Sequence, residues 1–135
     1  MTVANRAGQR CEYCLLTSQF QVGGFELDHI QPRSRGGVTS PDNTAFACPH
    51  CNCRKSDHIE GPDPLTRAVV GLFNPRQQSW HDHFQWSVDL PFVLVGKSPT
   101  GRATIQRLVL NDPQLLRLRT LLAEIGSDCR KADFE

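Results

Sequence analysis

Two cysteine pairs punctuate the first half of the sequence, Cys11-x-x-Cys14 and Cys48-x-x-Cys51. A pair of thiolates at this spacing can bite one metal ion from a tight turn, and two pairs complete the tetrahedral shell of a structural zinc. The thirty-three residues between the pairs exceed what a minimal zinc ribbon needs, so the metal must close a loop with content of its own. That loop and the residues just after it carry Asp28-His29, Asn43 and Asn52-x-x-Lys55, which a zinc staple does not require. Adjacent residues of a strand point to opposite faces, so of Asp28 and His29 one can ligate a metal while the other works on a water molecule. Each of these residues alone has an ordinary reading as a turn, cap or half-buried polar group. Their joint order between two knuckles is what points to chemistry.

The elements that must position them are short. Phe25 and Leu27 alternate with Glu26 and Asp28, which predicts a strand ending at Ile30. A turn-rich loop follows, with Pro32, Ser34, Gly36-Gly37, Ser40 and Pro41. Asn43 to Ala47 is expected as a second strand, and Pro49 to about His58 as a short helix stopped by Gly61-Pro62. Residues 1–10 read as a flexible polar arm. The run Gly61-Pro62-Asp63-Pro64 reads as a hinge, and residues 61–135 as a strand-and-helix extension packed on the motif, one domain overall. Trp80, Phe84 and Trp86 are spaced as on one face of a strand, Pro91 to Gly96 supplies another apolar run, and a helix is compatible with Thr100 to Leu110. The clearest helix is 113–125, with Asp112 as N-cap, Pro113 at the first position and Gly126 past the end. Its stripe is Leu115, Leu118, Leu121, Leu122 and Ile125. Arg102, Arg107, Arg117 and Arg119 read as solvated helix positions. The alternative is that these four extend a phosphate-binding face.

The formal net charge of +1 gives no global basic field, although arginines outnumber lysines twelve to three. Arginine's planar fork suits phosphate, yet composition alone does not indicate nucleic acid. No stretch is long and apolar enough to span a bilayer, and the first residues lack the apolar core of a signal peptide. A cytoplasmic location is therefore expected, where six cysteines serve as metal ligands rather than disulfides. Cys53 and Cys129 are left over, and Cys53 reads as a spectator. His50 is expected to stay exposed, His81 and His83 to pack or face solvent, and His58 to be a weaker candidate ligand.

Taken together, Cys11-x-x-Cys14, Leu27-Asp28-His29-Ile30-x-Pro32-x-Ser34-x-Gly36-Gly37, Asp42-Asn43 and Cys48-x-x-Cys51-Asn52-x-x-Lys55 resemble the HNH nucleases, the ββα-metal endonucleases. The tail segments Leu72 to Arg76, Trp80 to Trp86 and Gly101 to Thr104 resemble those of stand-alone bacterial members. The resemblance implies an α+β fold: a small zinc-stapled ββα-metal motif, of the His-Me finger type, over residues 11–60, with a C-terminal strand-and-helix extension. It implies His29 as general base, Asn43 as the asparagine that holds the loop and base in geometry, and Asp28 and Asn52 as ligands of a catalytic metal. Asn52 stands where many members have histidine.

The chemistry agrees. A neutral imidazole at His29 accepts a water proton near pH 7, and hard oxygen donors at Asp28 and Asn52 suit magnesium or manganese. Arg33, Arg35, Arg54 and Lys55 flank the site as candidate phosphate contacts. The expected function is a metal-dependent endonuclease acting on nucleic acid, with DNA ahead of RNA as substrate. The alternative is a non-catalytic zinc module that binds nucleic acid or protein.

Overall fold

A computed structural model describes residues 2–132 as a mixed helix-and-strand fold. Three two-stranded antiparallel ribbons occur among the described residues. The first pairs β1 (Glu26–His29) with β2 (Thr44–Ala47), in a register that sets Asp28 opposite Ala45 and His29 opposite Thr44. The chain then enters α2 (Pro49–Lys55), completing the β-β-α order expected for the motif. Helix α2 begins with Pro49 just inside the start, and Cys48 is its N-cap. The Cys48 sulfur accepts the Cys51 N–H at 3.4 Å, so a zinc-ligand candidate also caps the helix.

The second ribbon, β3 (Glu60–Pro62) with β4 (Val69–Gly71), stands where the sequence suggested a hinge. Asp63 explains the difference. Its carboxylate accepts the Leu65 N–H and the Thr66 hydroxyl, folding the 63–68 turn, and receives a fork from Arg102 at 2.9 Å on each oxygen. A buried carboxylate with four donors anchors a turn instead of hinging one.

The third ribbon pairs β5 (Phe84–Trp86) with β6 (Leu94–Gly96). Trp80, expected on the strand, opens the one-turn helix α3 (Trp80–His83), yet its ring still stacks near Phe84 and Trp86, centroids 5.1 and 5.9 Å away. Helices α4 (Pro99–Leu108) and α5 (Pro113–Glu124) follow, each with proline in its first turn and a side-chain N-cap, Ser98 and Asp112. Leu115 and Leu122 of α5 are buried, whereas Leu121 and Ile125 are more than half exposed. Arg119 takes the inward place instead. It is 1% exposed, donates to the carbonyls of Phe92 and Leu110, and lies over the Trp86 ring at 5.5 Å. Its expected solvated position is thereby corrected, as is a phosphate-binding role for Arg102, which is committed to Asp63.

Residues 2–10, expected as a flexible arm, include a short helix. Helix α1 (Val3–Arg6) places the Arg6 guanidinium against the carbonyls of Pro41 and Thr44, both at 2.7 Å. One buried apolar cluster runs from Tyr13 and Ala45 through Phe73, Phe84 and Leu94 to Leu108, so both halves of the chain share a core. No helix among the described residues is long and apolar enough to cross a membrane.

Candidate nuclease site

The two knuckles fold from opposite sides toward one point. Cys11 to Cys14 is a tight turn closed by the Leu15 N–H on the Cys11 carbonyl at 2.9 Å. The turn is tied to β2 twice: Glu12 N–H donates to the Phe46 carbonyl, and the Glu12 carboxylate accepts the Phe46 N–H. The sulfurs of Cys11, Cys14, Cys48 and Cys51 are all buried and lie within 4.8 Å of one another, with Cys14 and Cys48 at 3.7 Å. Four sulfurs bound about 2.3 Å from one zinc ion stand about 3.8 Å apart, so this cluster fits a structural zinc. Hydrogen bonding from the neighbouring cysteines, Cys11 first, pulls the Cys14 thiol well below its ordinary value, while burial raises Cys51. A bound dication would resolve that competition by taking all four as thiolates. Cys53 is exposed and apart, as expected of a spectator, whereas Cys129 is 3% exposed, its thiol pushed up to about 11 chiefly by burial.

Strand β1 sends Asp28 and His29 to opposite faces, as its alternation requires. His29 is half-buried, and its Nε2 lies 2.7 Å from Thr39 Oγ1, which also accepts from Arg33 at 3.1 Å. Thr39 belongs to the loop between β1 and β2, and Asn43 holds that loop together. The Asn43 Oδ1 accepts the Gln31 N–H at 2.8 Å, and its Nδ2 donates to the carbonyls of Gln31 at 3.0 Å and Val38 at 2.7 Å. Glycine is required at position 37, where a Cβ would meet the Gln31 carbonyl oxygen at 1.7 Å. These contacts place the Asn43 side chain as the fastener of the loop that faces His29.

Asp28 points inward and is 3% exposed. The Tyr13 hydroxyl donates to its Oδ2 at 2.7 Å, and Lys55 Nζ lies 3.3 Å from Oδ1 and 3.2 Å from Oδ2. Lys55 itself is 2% exposed, which corrects its expected role as a phosphate contact. The same ammonium donates to the carbonyls of His29 and Ile30 at 3.2 and 3.3 Å. Burial raises the Asp28 carboxyl despite the opposing pull of Lys55 and Tyr13, and it raises Tyr13 well above the usual phenol range. Removing one member of such a buried pair costs roughly 3–5 kcal/mol.

Asp28 and Asn52 were the expected ligands of a catalytic magnesium or manganese ion, and the donor atoms suit such an ion. The surroundings of Asp28 do not. A dication on the carboxylate would meet the Lys55 ammonium, which already lies 3.2–3.3 Å from both of its oxygens, and the like charges would repel. Asn52 is half-buried in the middle of α2, one turn ahead of Lys55 on the same helix face.

Of the flanking cations, Arg33, Arg35 and Arg54 are exposed, with Arg35 Nε donating to the Asp57 carbonyl at 3.0 Å. His50 is not a free surface group. Its Nε2 lies 2.8 and 3.0 Å from the carbonyls of Leu108 and Val109, at the end of α4. Two residues that sequence reasoning passed over join the site, Tyr13 and Thr39. Tyr13 had a signal, since a bulky tyrosine inside a metal knuckle needs somewhere to bury; Thr39 had none.

Residues 11–58 match the family model for HNH endonuclease. No curated protein and no solved structure matched the chain.

Proposed function

With an HNH segment spanning residues 11–58, we propose that this protein is an endonuclease that hydrolyses phosphodiester bonds of nucleic acid, DNA ahead of RNA, with His29 as general base. The observation that carries this reading is the posture of the imidazole. In the tautomer whose Nε2–H donates to Thr39, the Nδ1 lone pair remains to take a proton from water. The Thr39 oxygen can accept both this bond and that of Arg33, one on each lone pair, so the ring orientation is set without a carboxylate. The water oxygen attacks phosphorus as His29 takes its proton, the bond from phosphorus to the 3′ oxygen breaks, and that oxygen takes a proton from solvent. Exposed Arg33, Arg35 and Arg54 supply positive charge for the phosphates around the cut, and the Asn52 amide offers a polar group beside them. Asn43 acts through the loop, holding Thr39 and hence the ring. A divalent magnesium or manganese ion would add electrophilic stabilisation to this chemistry.

The test is cleavage of supercoiled plasmid and of structured RNA by zinc-loaded protein, with magnesium, manganese or no added divalent ion. The wild type should cut, and His29→Ala should lose about a hundredfold to ten-thousandfold in rate while keeping its zinc and its affinity for nucleic acid. Cleavage by His29→Ala at the wild-type rate would remove His29 as the base. Failure of the wild type to cut either substrate under any of these conditions would leave the zinc module that only binds nucleic acid or protein.

A further inference from the structure

The Lys55 ammonium sits in a cage of oxygens: both carboxylate oxygens of Asp28 and the carbonyls of His29 and Ile30, all between 3.2 and 3.3 Å away. Oxygens converging on one point from a carboxylate and two successive carbonyls form a cation site, here filled by the chain itself. We infer that Lys55 is the resident cation of this centre, so that Asp28 is a positioning residue and not a ligand of a divalent metal.

Three observations converge on this. Both groups are almost fully buried, so the pair is not a surface contact that solvent could exchange. Tyr13 Oη completes the hydrogen bonding of Asp28, leaving a neutral assembly of one carboxylate, one ammonium and one phenol. Two of the four oxygens around the ammonium are main-chain atoms, and one of them belongs to His29. Lys55 therefore grips the backbone that bears the imidazole, from the face of β1 opposite to the ring. The end of α2 is joined through this cage to the end of β1, while its start is held by Cys48 and Cys51. The zinc knuckle joins in through Tyr13, which lies between two zinc-ligand candidates.

The inference concerns the same centre as the nuclease reading but rests on the cage alone, and its test involves no substrate. Binding of manganese to zinc-loaded protein is read from the electron paramagnetic resonance signal of the free ion. Asp28→Asn should change the wild-type manganese affinity by less than threefold. Lys55→Met should gain at least tenfold in manganese affinity, because the emptied cage then offers its oxygens to the ion, and adding Asp28→Asn should abolish that gain. The double variant also removes both buried charges, so its zinc content and melting curve show whether the fold is intact. A threefold or greater loss of affinity in Asp28→Asn would overturn the inference, as would a folded, zinc-loaded Lys55→Met that gains nothing. Each single variant strips one member of the buried pair, so where either does not fold the double variant decides: a threefold or greater loss of manganese affinity relative to the wild type would overturn the inference. Absence of nuclease activity would leave these results unchanged.

Discussion

Asn43→Ala isolates the fastening of the loop from the chemistry it serves. The side chain makes three hydrogen bonds, all to main-chain atoms of residues 31 and 38. At about 0.5–1.5 kcal/mol each the set contributes at most about 4.5 kcal/mol, and because Asn43 is half-exposed, water recovers part of this on truncation. A net loss of about 2 kcal/mol is expected, which for a chain of this size lowers Tm by about 5–10 °C. The four-cysteine cluster shares no atom with the loop, so metal content should stay at the wild-type value. Cleavage should fall more than stability suggests, by about ten- to a hundredfold in kcat, since a loosened Thr39 no longer holds the imidazole. Asn43→Asp keeps the acceptor for Gln31 N–H but sets a carboxylate oxygen against two carbonyls, so it should melt no higher than the alanine variant. Differential scanning fluorimetry and plasmid nicking on zinc-normalised samples measure both effects. A wild-type Tm in Asn43→Asp, or wild-type kcat in Asn43→Ala, would show that Asn43 does not fasten the loop.

Replacing Cys14 or Cys48 with serine should abolish stoichiometric zinc and unfold the motif, because structural zinc binding, with an apparent free energy of about 10–16 kcal/mol in small zinc modules at neutral pH, is itself folding free energy; metal analysis and circular dichroism report this. Cys53→Ser should retain zinc and fold, its side chain being exposed. Asp63 predicts an acid limb of stability. Arg102 holds its carboxyl well below the usual carboxylate range, so its stabilisation is present above the unfolded value near pH 4 and is lost as pH falls toward the folded one. Asp63→Asn should accordingly be less stable at pH 7 yet lose less on acidification, and parallel Tm profiles between pH 3 and 7 would contradict this.

The features legible in the sequence are those written locally. Cys-x-x-Cys spacing announces the four-cysteine cluster, period-two alternation announces β1, and Asp112-Pro113 with Gly126 brackets α5. The separation of Asp28 from His29 follows from strand geometry alone. What the sequence did not disclose is where long cations end. Lys55 and Arg119 read as surface charge by type, and both are buried, because the carbonyls that receive them come from segments distant in the chain: residues 29 and 30 for Lys55, residue 92 for Arg119. Gly61 to Pro64 failed as a hinge for the same reason, since the partner that anchors Asp63 lies thirty-nine residues away. His50 likewise meets its carbonyls only once α4 has packed.

The indole N–H of Trp80 donates to the main-chain carbonyl of Tyr13, inside the first zinc turn, at 2.9 Å. A graft of residues 11–58 into a different host would carry every candidate zinc and catalytic residue and still arrive with that carbonyl bare. The His50 ring would lose its acceptors at the end of α4, and the buried face of Tyr13 would lose the Phe73 edge packed 6.4 Å from it. A recipient scaffold would have to furnish one buried N–H donor, one pair of carbonyls and an aromatic wall before the transplanted loop could be expected to cut. The portable unit is therefore longer than the motif, reaching at least through α4.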